Sequence, residues 1–223
     1  MTPTRRDLKR QARGFAAEIQ GLLNKTVTIG ISLSPEFSGE GNAILRYRAP
    51  DGGQSGGDLI PLTISRSPAK FGIRVFHALT LDEEDQFLQN TKSVYALATI
   101  DGDPILTYDF VRDVGNGYPE AHLHIDGESV GLQRLLDLSG QPQRSAPRLH
   151  LPVGGRRFRP CLEDLIEFCI TERLVRSHDG WAQVIREARQ RFHLRQLSAA
   201  VRRAPEVSAE ALRSSGWTCT PPA

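Results

Sequence analysis

Apolar residues recur every three or four positions at the start of the chain and every second position after it. Leu8, Ala12, Phe15, Ile19, Leu22 and Leu23 form one stripe within residues 4–24, which predicts an amphipathic helix. Arg5, Arg6, Lys9, Arg10 and Arg13 fall on its outer side, as a solvated face would have them. From Val27 the period becomes two. Residues 27–33, 43–48, 59–65, 71–81, 93–100, 104–110 and 120–125 are rich in Val, Ile, Thr, Tyr and Phe and read as strands. Their short connections imply antiparallel pairing, because parallel neighbours need long crossovers.

Helical spacing also interrupts and then follows the strands. Residues 82–90 open with Asp82, Glu83, Glu84 and Asp85, which suit a helix N-terminus, so a short helix is expected there. The same acidic run lacks the glycine-marked loop of a calcium site. The glycine-rich stretch 50–58 is read as a mobile hairpin tip, since neither GxxxxGK[ST] nor a helix follows it. A helix is expected over 128–138, then a linker over 139–147. Gly154-Gly155 separates 149–153 from 156–159, a two-residue hairpin signal. Pro160 opens a helix over 161–175. A longer one follows over 180–203, with a bend or partial break expected near His193 where its apolar phase slips, and a last short one over 208–214. Trp181 and Trp217 are read as packing residues.

The fold this describes is α+β: an N-terminal helix, an antiparallel meander sheet of about six to eight strands and a helical C-terminal segment. Residues 1–140 form the helix-plus-sheet part, and residues 141–223 an Arg-rich hairpin and helical segment packed on it.

Charge sharpens that division. The chain has 223 residues, with 28 Lys plus Arg against 26 Asp plus Glu. Residues 1–140 carry a net −4 and residues 141–223 a net +6, all of the latter's cations being Arg. A basic segment beside a mildly acidic one suits an acidic partner such as nucleic acid. Only four Lys occur in the chain, so Arg is also its default cation. No apolar run is long enough to span a membrane, and the charged start has no apolar signal-peptide core behind it. The expectation is a cytoplasmic bacterial protein with no membrane partner. Cys161, Cys169 and Cys219 form no CxxC pair, so Cys161 and Cys169 are read as small core residues.

Candidate chemistry concentrates in two strands. Thr107 and Asp109 share one face of their strand, and His122 and His124 share one face of theirs, because side chains alternate. If the strands pair, Asp109 lies beside the histidines. Two imidazoles and a carboxylate can do acid–base work near neutral pH. They can also bind a divalent metal, but no third His or Cys lies nearby in sequence, so neither metal nor cofactor is assigned. Arg112, Asp113 and Glu120 could extend the polar cluster, and His77 or His150 could approach it in three dimensions. A second constellation is cationic: Arg156, Arg157 and Arg159 at the hairpin, Arg186 and Arg189 on the long helix. Arginine grips phosphate bidentately, so these five are the candidate phosphate contacts.

The stretch Thr107-Tyr108-Asp109, then His122-Leu123-His124 and an amphipathic helix, resembles the core of TumE-like toxins of toxin–antitoxin pairs. The likeness covers roughly residues 104–138, and Thr107 stands where that family has arginine. It implies an RNA-directed, toxin-like activity, with an antitoxin as protein partner. The expected function is therefore a protein that acts on or binds nucleic acid: a metal-independent ribonuclease using His122, His124 and Asp109. The alternative is a non-enzymatic interaction or assembly module with a basic helical surface.

Overall fold

The structure, a computed structural model, describes residues 3–38, 41–53, 56–113, 115, 118–127, 129–138, 150–154 and 159–220. It opens with α1 (Pro3–Thr26). The apolar stripe is the buried one: Leu8, Ala12, Ala16, Ile19, Leu22 and Leu23 are all sealed. Burial of each Leu or Ile stabilises by about 1.5–3 kcal/mol, which outweighs any helix propensity in holding α1 down.

The strands are β1 (Glu36–Phe37), β2 (Ala43–Arg46), β3 (Ile60–Pro61), β4 (Phe71–Leu81), β5 (Leu88–Thr99), β6 (Pro104–Val111), β7 (Ala121–Ile125) and β8 (Leu151–Pro152). They form one eight-stranded sheet in the order β1-β2-β4-β5-β6-β7-β8, with β3 beside β2 on the flank of β4. Every pairing is antiparallel. Among the described residues the helices α2 (Val130–Leu138), α3 (Leu162–Thr171), α4 (Trp181–Arg203) and α5 (Pro205–Ser214) complete the elements. The α+β architecture is the expected one.

One face of the sheet is the core. Ile73, Val75, His77 and Leu79 of β4 join Tyr95 and Leu97 of β5 under α1. Leu165, Ile166 and Cys169 of α3 and Ile185 and Ala188 of α4 belong to the same buried cluster, so both segments of the chain contribute to one core. Helix α4 runs alongside α1: Arg195 donates to Glu18 at 2.6 Å, and the His178 N–H donates to the Thr26 carbonyl at 2.8 Å. Burial pushes the Cys161 thiol up, and that of Cys169 to about 12, so both thiols fill space rather than react.

Several expectations fail for identifiable reasons. Residues 27–33 join no strand: Val27 and Thr28 still donate to the Leu23 carbonyl, and Gly30 turns the chain with φ 65°. The side chains of α1 take their backbone groups instead: Asn24 Oδ1 accepts from Ile31 N, Asn24 Nδ2 donates to the Ile31 carbonyl, and Gln20 Oε1 accepts from Leu33 N. No helix forms over 82–90. Asp82 Oδ1 accepts from the backbone N–H groups of Gln86 and Phe87, closing a hairpin connection from which β5 starts early, at Leu88. Short acidic side chains compete for backbone donors in this way and favour turns over helix interiors. The strand expected over 59–65 shrinks to Ile60–Pro61, since Thr63 Oγ1 donates to the Ser65 and Ser67 carbonyls. Helix α4 is continuous through His193. Trp217 is 68 % exposed and packs no core. Residues 54–55 of the glycine-rich stretch lie outside the described residues; in its described part, the buried Asp58 carboxylate accepts from Ala49 N and Gly53 N at 3.0 and 3.1 Å. A Cβ at Gly52 would lie 2.1 Å from that side chain, so only glycine fits. Of the hairpin expected from 149–153 and 156–159, residues 149 and 155–158 lie outside the described residues, as does the linker expected over 139–147.

Candidate functional site

The opposite face of the sheet carries the chemistry. Between β6 and β7 the register is unbroken, pairing Thr107 with His124, Tyr108 with Leu123, Asp109 with His122 and Phe110 with Ala121. Tyr108 and Phe110 therefore point to the helix-covered side with Leu123 and Ala121. Thr107, Asp109, His122 and His124 point away from it. The sequence expectation for these four residues matches the register.

The third strand adds what the sequence left open. Leu151 pairs with Leu123 and Pro152 with His122, so continuing by one residue sets His150 opposite His124, on the same face. The ring centroids lie 4.9 Å apart for His122 and His124, 4.6 Å for His122 and His150, and 4.8 Å for His124 and His150. One ligating nitrogen from each ring lies within 4.8 Å of the others. Tyr118 stacks on His150 at 4.2 Å. His77, the other histidine that could have joined, is on the core face, buried edge-on against Phe15 and Tyr95.

His122 is buried, and its orientation is fixed. Its Nδ1 lies 3.0 Å from the Pro119 carbonyl oxygen, which can only accept, so Nδ1 carries the proton. Nε2 lies 4.0 Å from Asp109 Oδ2, beyond hydrogen-bond length. Asp109 Oδ1 is buried with no hydrogen-bond partner among the described residues. An unprotonated nitrogen facing a half-satisfied carboxylate is repulsive unless a proton or a cation lies between them. Three imidazoles with a carboxylate at their edge are a nitrogen-rich donor set suited to zinc, iron, copper or nickel.

Of the cationic candidates, the described ones (Arg159, Arg186 and Arg189) do not converge on this cluster. Arg159 lies over the Phe110 ring at 4.2 Å, on the helix-covered face and so across the sheet from the imidazoles. Arg189 bridges α3 and α4, donating to Asp164 Oδ1 at 2.9 Å and to the Glu167 carboxylate. Arg186 is exposed and donates to Gln183 Oε1 at 3.1 Å. Arg156 and Arg157 lie outside the described residues. Of the extra polar group, Glu120 accepts the Asp113 backbone N–H at 3.0 Å, which closes the β6–β7 connection.

Comparison with protein-family models, with curated proteins and with solved structures finds no match in any of the three. Fold and site together define an α+β protein with a three-imidazole, one-carboxylate cluster on one face of an antiparallel sheet. No helix among the described residues is long and apolar enough to cross a membrane.

Proposed function

We propose that the protein is a metal-dependent hydrolase, its ion held by His122, His124 and His150 with Asp109 beside it, and that its substrates are phosphodiesters of RNA. The observation that carries the reading is the convergence of three imidazole nitrogens from two neighbouring strands. Ligand nitrogens on a tetrahedral zinc ion sit about 3.4 Å apart, so side-chain shifts of roughly 1 Å close the cluster on an ion. A cation also reconciles His122 Nε2 with Asp109 Oδ2, whose separation suits two groups flanking one ion better than a direct contact. Such an ion brings the pKa of a bound water to about 7. Asp109, beside the three imidazoles, would serve as the proton acceptor. RNA is named because the Tyr108-Asp109 and His122-Leu123-His124 strands, which carry the likeness to TumE-like toxins, are neighbours in the sheet.

Metal analysis of the zinc-loaded, dialysed protein tests this beside RNA cleavage. The expected result is one equivalent of zinc per chain and cleavage that stops with chelator, both lost in the His122→Ala/His124→Ala double variant. Cleavage that ignores chelator but needs both histidines would restore metal-free acid–base catalysis. Cleavage unchanged in the double variant would remove the cluster from the reaction altogether.

A second reading has its own observation. Leu194, Leu197 and Val201 line the side of α4 away from the core and are exposed, as is Trp217 beyond α5. An apolar stripe of this kind suits an assembly module that binds a protein partner. A chain that neither holds metal nor cleaves RNA, yet sediments as a complex, would favour it.

A further inference from the structure

The three imidazoles do not come from one piece of chain. His122 and His124 are fixed by β7, which is paired on both sides, whereas His150 precedes β8, the last strand of the sheet. Among the described residues that strand pairs on one side only. Within the described residues its pairing is Leu151 with Leu123 and Pro152 with His122. Pro152 has no N–H to give. The next donor, Val153 N, reaches the Ala121 carbonyl at 3.4 Å, long for such a bond. Apolar anchoring is slight as well: Leu151 is half-buried, while Pro152 and Gly154 are exposed. The closest ring contacts of this edge are those of His150 with Tyr118, His122 and His124.

We infer that the metal ion is a clasp: it binds with all three imidazoles only when β8 is docked, and its occupancy holds β8 on the sheet. This rests on the metal-centre reading above and adds the control of that centre. Coordination bonds from His122 and His124 on β7 and from His150, next to β8, would tie the two strands together where the described backbone bonding is sparse. Because the full donor set exists only in the docked state, the free energy of metal binding is shared with docking. The coupling runs both ways. Whatever lifts β8 removes one of three imidazoles and weakens metal retention, so the edge strand sets whether the centre is loaded.

Hydrogen exchange on the full chain tests the clasp, with Zn²⁺ alone as the probe. Chelator-treated protein is compared with protein holding one equivalent of zinc. Zinc should slow exchange in the segment containing Leu151 and Val153 by roughly tenfold or more, as a ligand well above its Kd would. Amides of the central β4–β5 pair should not change. In His150→Ala, whose β4–β5 exchange reports whether the sheet is intact, zinc should bind at least tenfold more weakly and leave the β8 segment unprotected. Zinc bound to the wild-type chain with unchanged exchange at Leu151 and Val153 overturns the clasp alone, as does full protection retained in His150→Ala. No zinc bound to the wild-type chain overturns the metal centre and the clasp with it.

Discussion

His77 makes the stability of the fold depend on acidity in a way that can be worked out from its surroundings. The ring is buried between α1 and the sheet, 4.8 Å from Phe15 and 5.5 Å from Tyr95 by centroid. Desolvation pushes its pKa down from 6.5 to about 3. The Asn90 side chain opposes the shift by hydrogen bonding, and the Arg159 charge adds to it. Folded protein therefore keeps His77 neutral throughout the interval in which the unfolded chain protonates it. The unfolded state binds more protons, so stability rises with pH across that interval. The contribution is fully present above pH 6.5 and is lost progressively as pH falls towards 3. Each unit costs about 1.4 kcal/mol, so pH 4.5 costs about 2.7 kcal/mol relative to neutral pH. Carboxylates titrate in the same range, and a variant is needed to isolate the effect. His77→Phe keeps an aromatic ring against Phe15 and Tyr95 but cannot take a proton. It removes the contact of Tyr95 OH with His77 Nε2 at 3.5 Å and the hydrogen bond with the Asn90 side chain, at about 1 kcal/mol each. Urea unfolding at pH 7.0, 5.5 and 4.5 should show the variant less stable at neutral pH and losing about 2–3 kcal/mol less than wild type on acidification. Parallel losses in the two proteins would refute the argument. So would a His77 ring resonance that titrates near 6.5 in the folded state.

Three further expectations follow from the same structure. Zinc at 100 times its Kd should raise stability by about 2.7 kcal/mol, read as a higher Tm that chelator reverses. A Tm indifferent to zinc would count against the centre. Arg189→Met severs both ion pairs between α3 and α4 and should cost about 1 kcal/mol at these partly exposed groups. Asp164→Ala should cost about 1–2 kcal/mol, because Asp164 also accepts the Cys161 N–H at 2.8 Å at the start of α3; equal denaturant midpoints for the two would contradict this. Ile185→Ala, in the core, should cost about 2–5 kcal/mol, whereas Leu197→Ala on the outer side of α4 should change stability by less than about 0.5 kcal/mol. A large loss at Leu197 in chemical denaturation would mean that the outer stripe is covered in solution.

What the sequence settled by itself is what a local period can settle. The stripe of α1 follows from three- and four-residue spacing, and β4, β6 and β7 follow from strict alternation, which also sets Asp109, His122 and His124 facing away from the core. Alternation is a property of each strand and needs no knowledge of its neighbours. The misreadings arose where polar side chains redirect the backbone: Asn24 and Gln20 tie down residues 27–33, and Asp82 turns an expected helix into a hairpin connection.

The membership of the site was decided elsewhere. Nothing in the spacing of His150 says that its strand pairs with β7, because sheet order depends on contacts between segments far apart in the chain. The same non-local order sets His77 across the sheet from the imidazoles and turns Arg159 to the helix-covered face. It also ties Arg189 into α3. Sequence supplied the residues and their facing; tertiary pairing brought a third imidazole to two others and changed a candidate catalytic pair into a candidate metal centre.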